Sequence, residues 1–346
     1  MPTEEPNLAV AMRRQAEACA VLGSAQYALL IRGLVADLEA GGPTADLLEG
    51  RTDQPLRDAI TLRLLAAVHR IVLRGDARGL AERYASVGGD NGPIDVRSFL
   101  ETVAEHHDEV VEALAQNVQT NEVARCAGLV PAFADVARST RLPLTMLEVG
   151  ASGGLISNWD RYHYECHGSA YGDPASAVRL GHNWADPFDL SGVTEVRSRR
   201  ACDVSPLDVS DPAARQRLLS FVWPDQRERF ATLSGALDVA LDHAIDVERA
   251  DAGEWIGAHL PTRGTGTATI VFHSIVWQYL ARDTKDRLRS VLEHEGNRAT
   301  TDRPIAWVRL EPAGERADVR VTNWPGGTER IIATCSYHGA DVRLPG

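Results

Sequence analysis

The sequence predicts an α/β fold in which an α-helical domain precedes a mainly parallel β-sheet that ends in an antiparallel hairpin. Two observations carry this prediction. Apolar residues recur at helical spacing up to about residue 140, and strand-like segments alternate with helical ones from residue 144 onward. Such alternation is typical of a parallel sheet covered by helices on both faces. We therefore expect a helical N-terminal domain over residues 1–140 and a sheet domain over residues 141–346.

The helical domain is predicted from large apolar residues that recur every three or four positions. Segments rich in glycine, proline and aspartate, such as AGGPT, RGDARG and VGGDNGP, mark the loops between the helices. The recurring apolar positions include Tyr27, Leu30, Ile31, Leu34 and Leu38, then Leu56, Ile60, Leu64, Val68 and Val72, then Phe99, Val103, Val110 and Leu114.

The sheet domain is predicted to begin with the strand LTMLEVG, residues 144–150, followed by a helix over 154–161. A segment that alternates and turns near residues 161–182 predicts a β insertion. The remaining predicted elements are a strand ending at Asp203, a helical block over 211–243, a strand ending near Asp251, the buried strand TATIVFHSIVWQYL, the helix KDRLRSVLEHE, the strand PIAWVRLEP and the terminal hairpin.

Composition argues against several classes of function, although it leaves room for a local basic patch. The formal net charge of −12 argues against a broad surface for nucleic acid or for an anionic membrane. No apolar run approaches the ~18 residues of a membrane span. The five cysteines are scattered and none lies in a C-x-x-C motif, which favours a reduced, cytoplasmic protein. Lys285 is the only lysine, so a Schiff-base lysine and a phosphate-binding G-K-[ST] loop are not expected.

The segment GASGG, residues 150–154, fits two kinds of chemistry. It has the G-x-S-x-G pattern of the nucleophile elbow in α/β-hydrolases. That interpretation also requires earlier strands and an oxyanion-hole loop such as H-G-G-G, and neither precedes residue 144. A hydrolase triad would use Ser152, Asp251 and either His273 or His338. The hydrolase interpretation is therefore less favoured than the interpretation of the same segment as a cofactor-binding loop.

The second interpretation is a loop that holds S-adenosylmethionine in a Rossmann-like, methyltransferase-type domain. Parallel strands end at one edge of a sheet, where their terminal residues meet a ligand. Glycines allow close approach of the backbone, and a carboxylate accepts two ribose hydroxyls at once. The predicted cofactor-binding residues are Glu148 for the ammonium group, Gly150, Ser152 and Gly154 in the loop, Asp203 for the ribose and Asp251 for adenine.

The two aspartates of this set also suit a structural role. Asp203 and Asp251 could each cap the N-terminus of a following helix, a position at which aspartate is strongly preferred. If the second strand of the sheet lies inside the β insertion, Asp173 replaces Asp203 as the ribose ligand.

The substrate is expected near the end of the fourth strand. His273 is the predicted catalytic base, because an imidazole exchanges protons near neutral pH, and Ser274 is a predicted substrate contact. The polar run QNVQTNE predicts a second substrate contact at Asn121, or alternatively a helix N-cap at Thr120 or Asn121. His163, Glu165 and His167 alternate along a strand as metal ligands can, but matching ligands are lacking elsewhere, so no metal is predicted.

Several motifs together resemble a known family. They are NVQTNEVARCAGLVPAF, LEVGASGGLISNWDRYHY, GDPASAV, DVSPLDVSDPAARQRLLSFVWPDQRERF, VFHSIVWQYL and SYHGADVRL. The chain resembles family 2332 of the domains of unknown function, an uncharacterised bacterial family common in actinobacteria. A wider resemblance, to class I S-adenosylmethionine-dependent methyltransferases, rests on LEVGASGGL and the strand order. About fifty residues separate Gly150 from Asp203, about twice the spacing of a lean methyltransferase.

The predicted function is methyl transfer from S-adenosylmethionine to a small-molecule substrate, with no nucleic-acid or membrane partner. A Rossmann-like binding or regulatory protein without catalysis is the alternative, and a serine hydrolase is the third. The sequence leaves the oligomeric state and the identity of the substrate open.

Overall fold

A computed structural model describes residues 7–191 and 195–345 of the chain. The contacts divide it into two compact units. The first comprises Met1–Thr120 and Asp211–Ala231, and the second comprises Asn121–Ser210 and Thr232–Gly346.

The first unit is helical and has its own apolar core. Tyr27, Leu34, Leu64 and Phe99 are buried there, and the later segment adds Trp223 to the same core. The helices are α1 (Leu8–Val21), α2 (Ala25–Glu39), α3 (Pro43–Leu48), α4 (Ile60–Arg74), α5 (Arg78–Ala81), α6 (Val96–Glu105), α7 (His107–Leu114) and, after the interruption, α9 (Pro212–Ser220).

Helix α8 (Arg125–Thr140) belongs to the second unit, whereas the sequence suggested a boundary after residue 140. The helix packs on the last strands of the sheet, and a side chain at Gly128 would lie 3.1 Å from both Cys335 and Leu310. This close approach groups residues 121–140 with the sheet.

The second unit contains a seven-stranded sheet. Its strands are β1 (Leu144–Val149), β5 (Val196–Asp203), β6 (Val247–Arg249), β7 (Ala268–Ser274), β8 (Ile305–Ala313), β9 (Arg316–Trp324) and β10 (Thr328–Cys335). They lie in the order β10-β9-β8-β7-β1-β5-β6. The pairings from β6 through β5, β1 and β7 to β8 are parallel, while β9 and β10 are antiparallel to their neighbours. The predicted α/β class, mainly parallel sheet and terminal antiparallel hairpin are confirmed.

The strand order creates a switch point beside β1. From β1 the chain continues to β5 and β6 on one side and to β7 and β8 on the other. This is the order of a doubly wound sheet, in which ligands bind outside the carboxyl ends of the strands where the order reverses.

Helices cover both faces of this sheet. Phe272 on β7 contacts Phe133 of α8, whereas Val271 packs with Ile256 of α11 (Ala252–His259) and Leu288 of α12 (Arg282–Gly296). Neighbouring residues of a strand point to opposite faces, so α8 lies on one face and α11 and α12 on the other.

The loop after β1 leads into a 3₁₀ helix over Ile156–Arg161, shorter and tighter than the helix expected over 154–161. Trp159 is fully buried against Phe133, and Arg199 makes a bidentate pair with Asp160. A separate three-stranded sheet of β2 (His163–Cys166), β3 (Ser169–Tyr171) and β4 (Arg179–Leu180) follows, where the sequence suggested an inserted β element.

Helix α10 (Arg227–Asp242) starts in the first unit and ends in the second. Among the described residues, none of the helices has the length and apolar character needed to span a bilayer. All five cysteines are buried free thiols.

Candidate ligand site at the carboxyl edge of the sheet

The loop after β1 has an unusual backbone. Gly150, Ser152 and Gly154 all have positive φ angles, of 71°, 53° and 72°. A positive φ is easy for glycine and uncommon for serine, so surrounding contacts must hold Ser152 in this conformation. The backbone of this loop is therefore strained at Ser152, and contacts elsewhere in the fold must offset that strain.

The neighbouring strand β5 supplies those contacts. The carbonyl of Cys202 accepts from the backbone N–H groups of Gly150 (2.9 Å) and Ala151 (3.1 Å). The Oδ2 of Asp203 accepts from the Ser152 N–H at 2.8 Å. The end of β5 thus fixes the loop at the switch point of the sheet.

Asp203 is not a helix cap. Its Oδ1 accepts from the Ser205 N–H at 2.8 Å, while Asp211 is the residue that caps α9. Each carboxylate oxygen has two lone pairs, so Asp203 has accepting capacity left for a ligand. The alternative Asp173 is exposed and accepts from the Ala175 N–H, in the chain that joins β3 to β4. Asp203, on the strand beside β1, is therefore the carboxylate bonded to the loop.

Glu148 is a buried acid that has no cationic partner in the described part of the chain. It is 3% exposed, and Ser157 Oγ donates to its Oε2 at 2.5 Å. No arginine, lysine or histidine of the described chain forms an ion pair with it. Burial raises the pKa of Glu148 to about 8, against the lowering effect of the Ser157 hydrogen bonds, and the nearby charge of Asp203 adds to the rise. An acid in this condition beside a candidate ligand loop is a typical functional residue.

The hydroxyl group of Ser152 is a second buried polar group near the loop. Its Oγ is buried and has no hydrogen-bond partner among the described residues. A serine nucleophile would need an imidazole within hydrogen-bond reach, and the strand-to-helix turn of an elbow would need an α-helix after it. Neither feature accompanies Ser152 in the described parts of the chain.

The two glycines of the loop face protein atoms. A side chain at Gly150 would lie 2.6 Å from Val276, and one at Gly154 would lie 3.1 Å from Val247 and 3.2 Å from Ile245. Substitution of either glycine would therefore disturb packing and backbone together. The binding roles of Gly150 and Gly154 stay predictions that need other variants as tests.

The ring of His273 is fully buried and both of its nitrogens are occupied. Glu311 Oε1 lies 2.6 Å from Nδ1, and Trp307 Nε1 donates to Nε2 at 3.2 Å. Since Nε2 accepts from Trp307, Nδ1 carries the proton and donates to Glu311. His273 also points to the α11–α12 face, opposite Glu148, because Glu148 pairs with Phe272 on the α8 face. Its role as a base stays a prediction, and one that requires Trp307 to release the ring.

Glu311, a residue not predicted from the sequence, organises the turn after β7. Besides His273, its Oε1 accepts from the backbone N–H groups of Val276 (3.0 Å) and Trp277 (3.1 Å). The turn also holds Ile275 at a φ of 54°, which is rare for a β-branched residue. Glu311 lies near the end of β8 in the segment RLEP, as the other strand-end acids lie at the ends of their strands, and that position was the available signal.

Asp251 has contacts within the protein. It is the N-cap of α11: its Oδ1 accepts from Gly253 (2.9 Å) and Glu254 (3.1 Å), and its Oδ2 accepts from Thr284. This geometry adds nothing to its predicted contact with adenine.

Asn121 and Ser274 lie near the loop and the end of β7. Asn121 is buried, and its Nδ2 donates to the carbonyl of Ala151 in the glycine loop at 2.9 Å. The carbonyl of Ser274 accepts from Arg125 Nη1 at 3.3 Å. The structure thus joins Asn121, the loop and Asp203 by hydrogen bonds.

No cluster of three or more metal-ligating side chains occurs within residues 7–191 and 195–345. His163 Nε2 instead lies 2.9 Å from Glu165 Oε1, and Glu165 also pairs with Arg179.

A known protein family matches nearly the whole chain. The family is described as "Uncharacterized protein conserved in bacteria (DUF2332)", and the match covers residues 9–343. No curated protein and no solved structure matches the sequence. The match agrees with the motifs that run from the helical unit to the last hairpin, and the chain therefore belongs to this bacterial family of domains of unknown function.

Proposed function

We propose that the chain binds S-adenosylmethionine at the carboxyl edge of its sheet, as a Rossmann-like methyltransferase-type domain, and transfers the methyl group to a small molecule. The observation that carries the proposal is the glycine loop at the switch point, hydrogen-bonded through Ser152 to the carboxylate that ends the next strand, Asp203. Ligands of doubly wound sheets bind at this place.

The buried polar groups of the loop region fit this cofactor. Glu148 lacks a cationic partner among the described residues, and the amino-acid part of the cofactor carries an ammonium group. The Ser152 hydroxyl lacks a partner among the described residues and would gain one from the same polar end. Asp203 has lone pairs left to accept from ribose hydroxyls. The next residue, Val204, is 67% exposed and offers an apolar contact for the adenine ring.

The cofactor supplies an electrophilic methyl group when bound, so the protein needs no nucleophile of its own. In this proposal the loop and Asp203 orient the cofactor, and Glu148 neutralises its ammonium. The acceptor lies near the turn after β7, where Ser274 is the predicted contact. Deprotonation by His273 would follow only after its ring leaves Trp307.

The engagement of both His273 nitrogens favours a second candidate, a ligand-binding or regulatory protein without catalysis. The two candidates share the cofactor site and differ in turnover. Cofactor binding without methyl transfer to any of a panel of hydroxyl, phenol and amine acceptors would favour the second.

The proposal is tested by calorimetry with S-adenosylmethionine, S-adenosylhomocysteine and NADH. We expect the first two to bind and NADH not to bind. Asp203→Asn should weaken binding by about 1.5–3 kcal/mol, the contribution typical of a charge-assisted hydrogen bond. The control is Asp211→Asn, which changes an exposed helix-capping aspartate and should leave affinity unchanged. Equal affinities of wild type and Asp203→Asn would remove the assignment of Asp203.

The hydrolase alternative requires Ser152 to act as an activated nucleophile. Because its Oγ has no imidazole partner among the described residues, we expect a fluorophosphonate probe to leave the native protein unlabelled. Gel fluorescence and mass spectrometry after incubation measure this directly, with heat-denatured protein as the control. Labelling of wild type that disappears in Ser152→Ala would reinstate the hydrolase.

A further inference from the structure

The helical unit brings together three arginines that the proposed function does not use. Arg63 and Arg70 are seven residues apart on α4, which places them on the same face of that helix, and Arg217 lies on α9, which packs against α4; all three are half-buried. Arg63 donates from Nη2 to Asn117 Oδ1 at 3.2 Å, and Arg217 donates from Nη2 to the Asn117 carbonyl at 3.0 Å. Two helices therefore direct their guanidinium groups to the same short segment.

No carboxylate of the described residues hydrogen-bonds to a guanidinium of this cluster. Among the described residues, the acid beside Arg70 is Glu109, whose Oε1 lies 3.8 Å from Arg70 Nε, beyond hydrogen-bond distance. Both oxygens of Glu109 already accept from Arg74, at 2.8 and 2.7 Å. Within the described chain, Arg63 and Arg217 contact only neutral oxygens.

The cost of this arrangement appears at Arg217. Burial lowers the pKa of its guanidinium, and the charge of Arg70 lowers that pKa further. Like charges held close together destabilise a protein unless something compensates. In a chain with a net charge of −12, local repulsion between arginines needs a specific reason.

The cluster also has donors to spare. The Nε–H groups of Arg63 and Arg217 have no acceptor among the described residues. The guanidinium of Arg70 makes no hydrogen bond among the described residues, and its one ion-pair contact there is the 3.8 Å approach to Glu109. Guanidinium groups bind phosphate and carboxylate oxygens through paired, charge-assisted hydrogen bonds.

We propose that Arg63, Arg70 and Arg217 form a binding site for an oxyanion, the phosphate or carboxylate group of a small molecule. The inference goes beyond the proposed function and does not rest on it, since all three residues belong to the helical unit. Arg63 has a structural role as well, because its Nη1 donates to the Leu114 carbonyl at the end of α7. The side chain of Arg70 makes no such hydrogen bond among the described residues, so a substitution of Arg70 is the most direct test of the anion site.

The experiment titrates the whole chain with inorganic phosphate and, separately, with succinate, with ionic strength held constant by chloride. Calorimetry and the thermal unfolding midpoint are the two readouts. We expect saturable binding and a rise in the midpoint for one of the anions. Arg70→Gln should weaken that binding at least about tenfold, as expected for a charge-assisted pair of hydrogen bonds. Without anion, the same variant should unfold at the wild-type midpoint or above it, because a repulsion is removed.

The control is Arg97→Gln on α6, whose arginine is 86% exposed and paired with Glu101, and it should bind like wild type. Arg217→Gln should also lose binding; if it fails to fold, Arg70→Gln alone decides. Saturable binding of phosphate assigns a phosphate group, and saturable binding of succinate assigns a carboxylate. Binding of neither anion, or equal binding by wild type and Arg70→Gln, would overturn the proposal.

Discussion

Replacement of Glu311 by alanine is expected to lower the free energy of unfolding by roughly 3 kcal/mol or more. One oxygen of this side chain accepts from His273, Val276 and Trp277. Alanine would leave all three donors without an acceptor, at about 1–3 kcal/mol for each donor that stays buried. It would also free Ile275, which is held at a positive φ, to return to an ordinary backbone conformation.

Urea unfolding at neutral pH measures the effect. Glu311→Gln should retain most of the stability, because an amide oxygen accepts from the same donors. The matched control is Glu315→Ala in the exposed turn between β8 and β9, which should change stability by less than about 0.5 kcal/mol. If Glu311→Ala is as stable as Glu315→Ala, Glu311 does not hold the turn after β7.

Glu148 should make the stability of the protein fall as pH rises from about 4.5 to about 8. Its pKa is raised from 4.5 to about 8 in the folded chain, mainly by burial. Between these values the folded chain holds a proton that the unfolded chain has released. The stability contribution is therefore complete below pH 4.5, decreases by up to about 1.4 kcal/mol per pH unit above it, and is lost above the folded pKa.

Urea unfolding at a series of pH values, for wild type and Glu148→Gln, measures this slope. Glutamine does not titrate, so the variant should lose the slope and become the more stable of the two at alkaline pH. Glu195→Gln, which changes an exposed acid, should keep the wild-type profile. Identical pH profiles for wild type and Glu148→Gln would contradict the assigned protonation.

The same residue links pH to the proposed cofactor. An ammonium group beside Glu148 favours the ionised carboxylate and lowers its pKa again. Binding near neutral pH should then release a proton, which calorimetry detects as an observed enthalpy that depends on the ionisation enthalpy of the buffer. Glu148→Gln should abolish that dependence.

Much of the sheet was predictable because its signals are local. Buried apolar runs, the acids that end them and the glycines after β1 all lie within a few residues of one another. The position of Asp203 at the ligand edge of the sheet is predicted in this way, since parallel strands bring their carboxyl ends to a common edge. The choice between Asp203 and Asp173 needed the pairing of β5 with β1, which depends on contacts across about fifty residues.

The contacts that decide the chemistry of His273 were not predictable. A histidine that ends a buried strand has the same sequence context whether its ring is free or bonded. Trp307 and Glu311, which occupy its nitrogens, come from β8, more than thirty residues away. Likewise, the spacing of apolar residues that predicts α9 as a helix does not show which helix it packs against. The packing of α9 beside α4 in the first unit therefore could not be predicted.

The interrupted order of the helical unit has a consequence for how the protein is made. Residues 1–120 leave the ribosome well before α9, yet the core they form includes Trp223, and buried His69 bonds to the carbonyl of Ser220. The newly made helices must therefore wait, with part of their apolar surface uncovered, until ninety further residues have been added. Vectorial synthesis thus leaves the first third of the chain to complete its core only after α9 has been made.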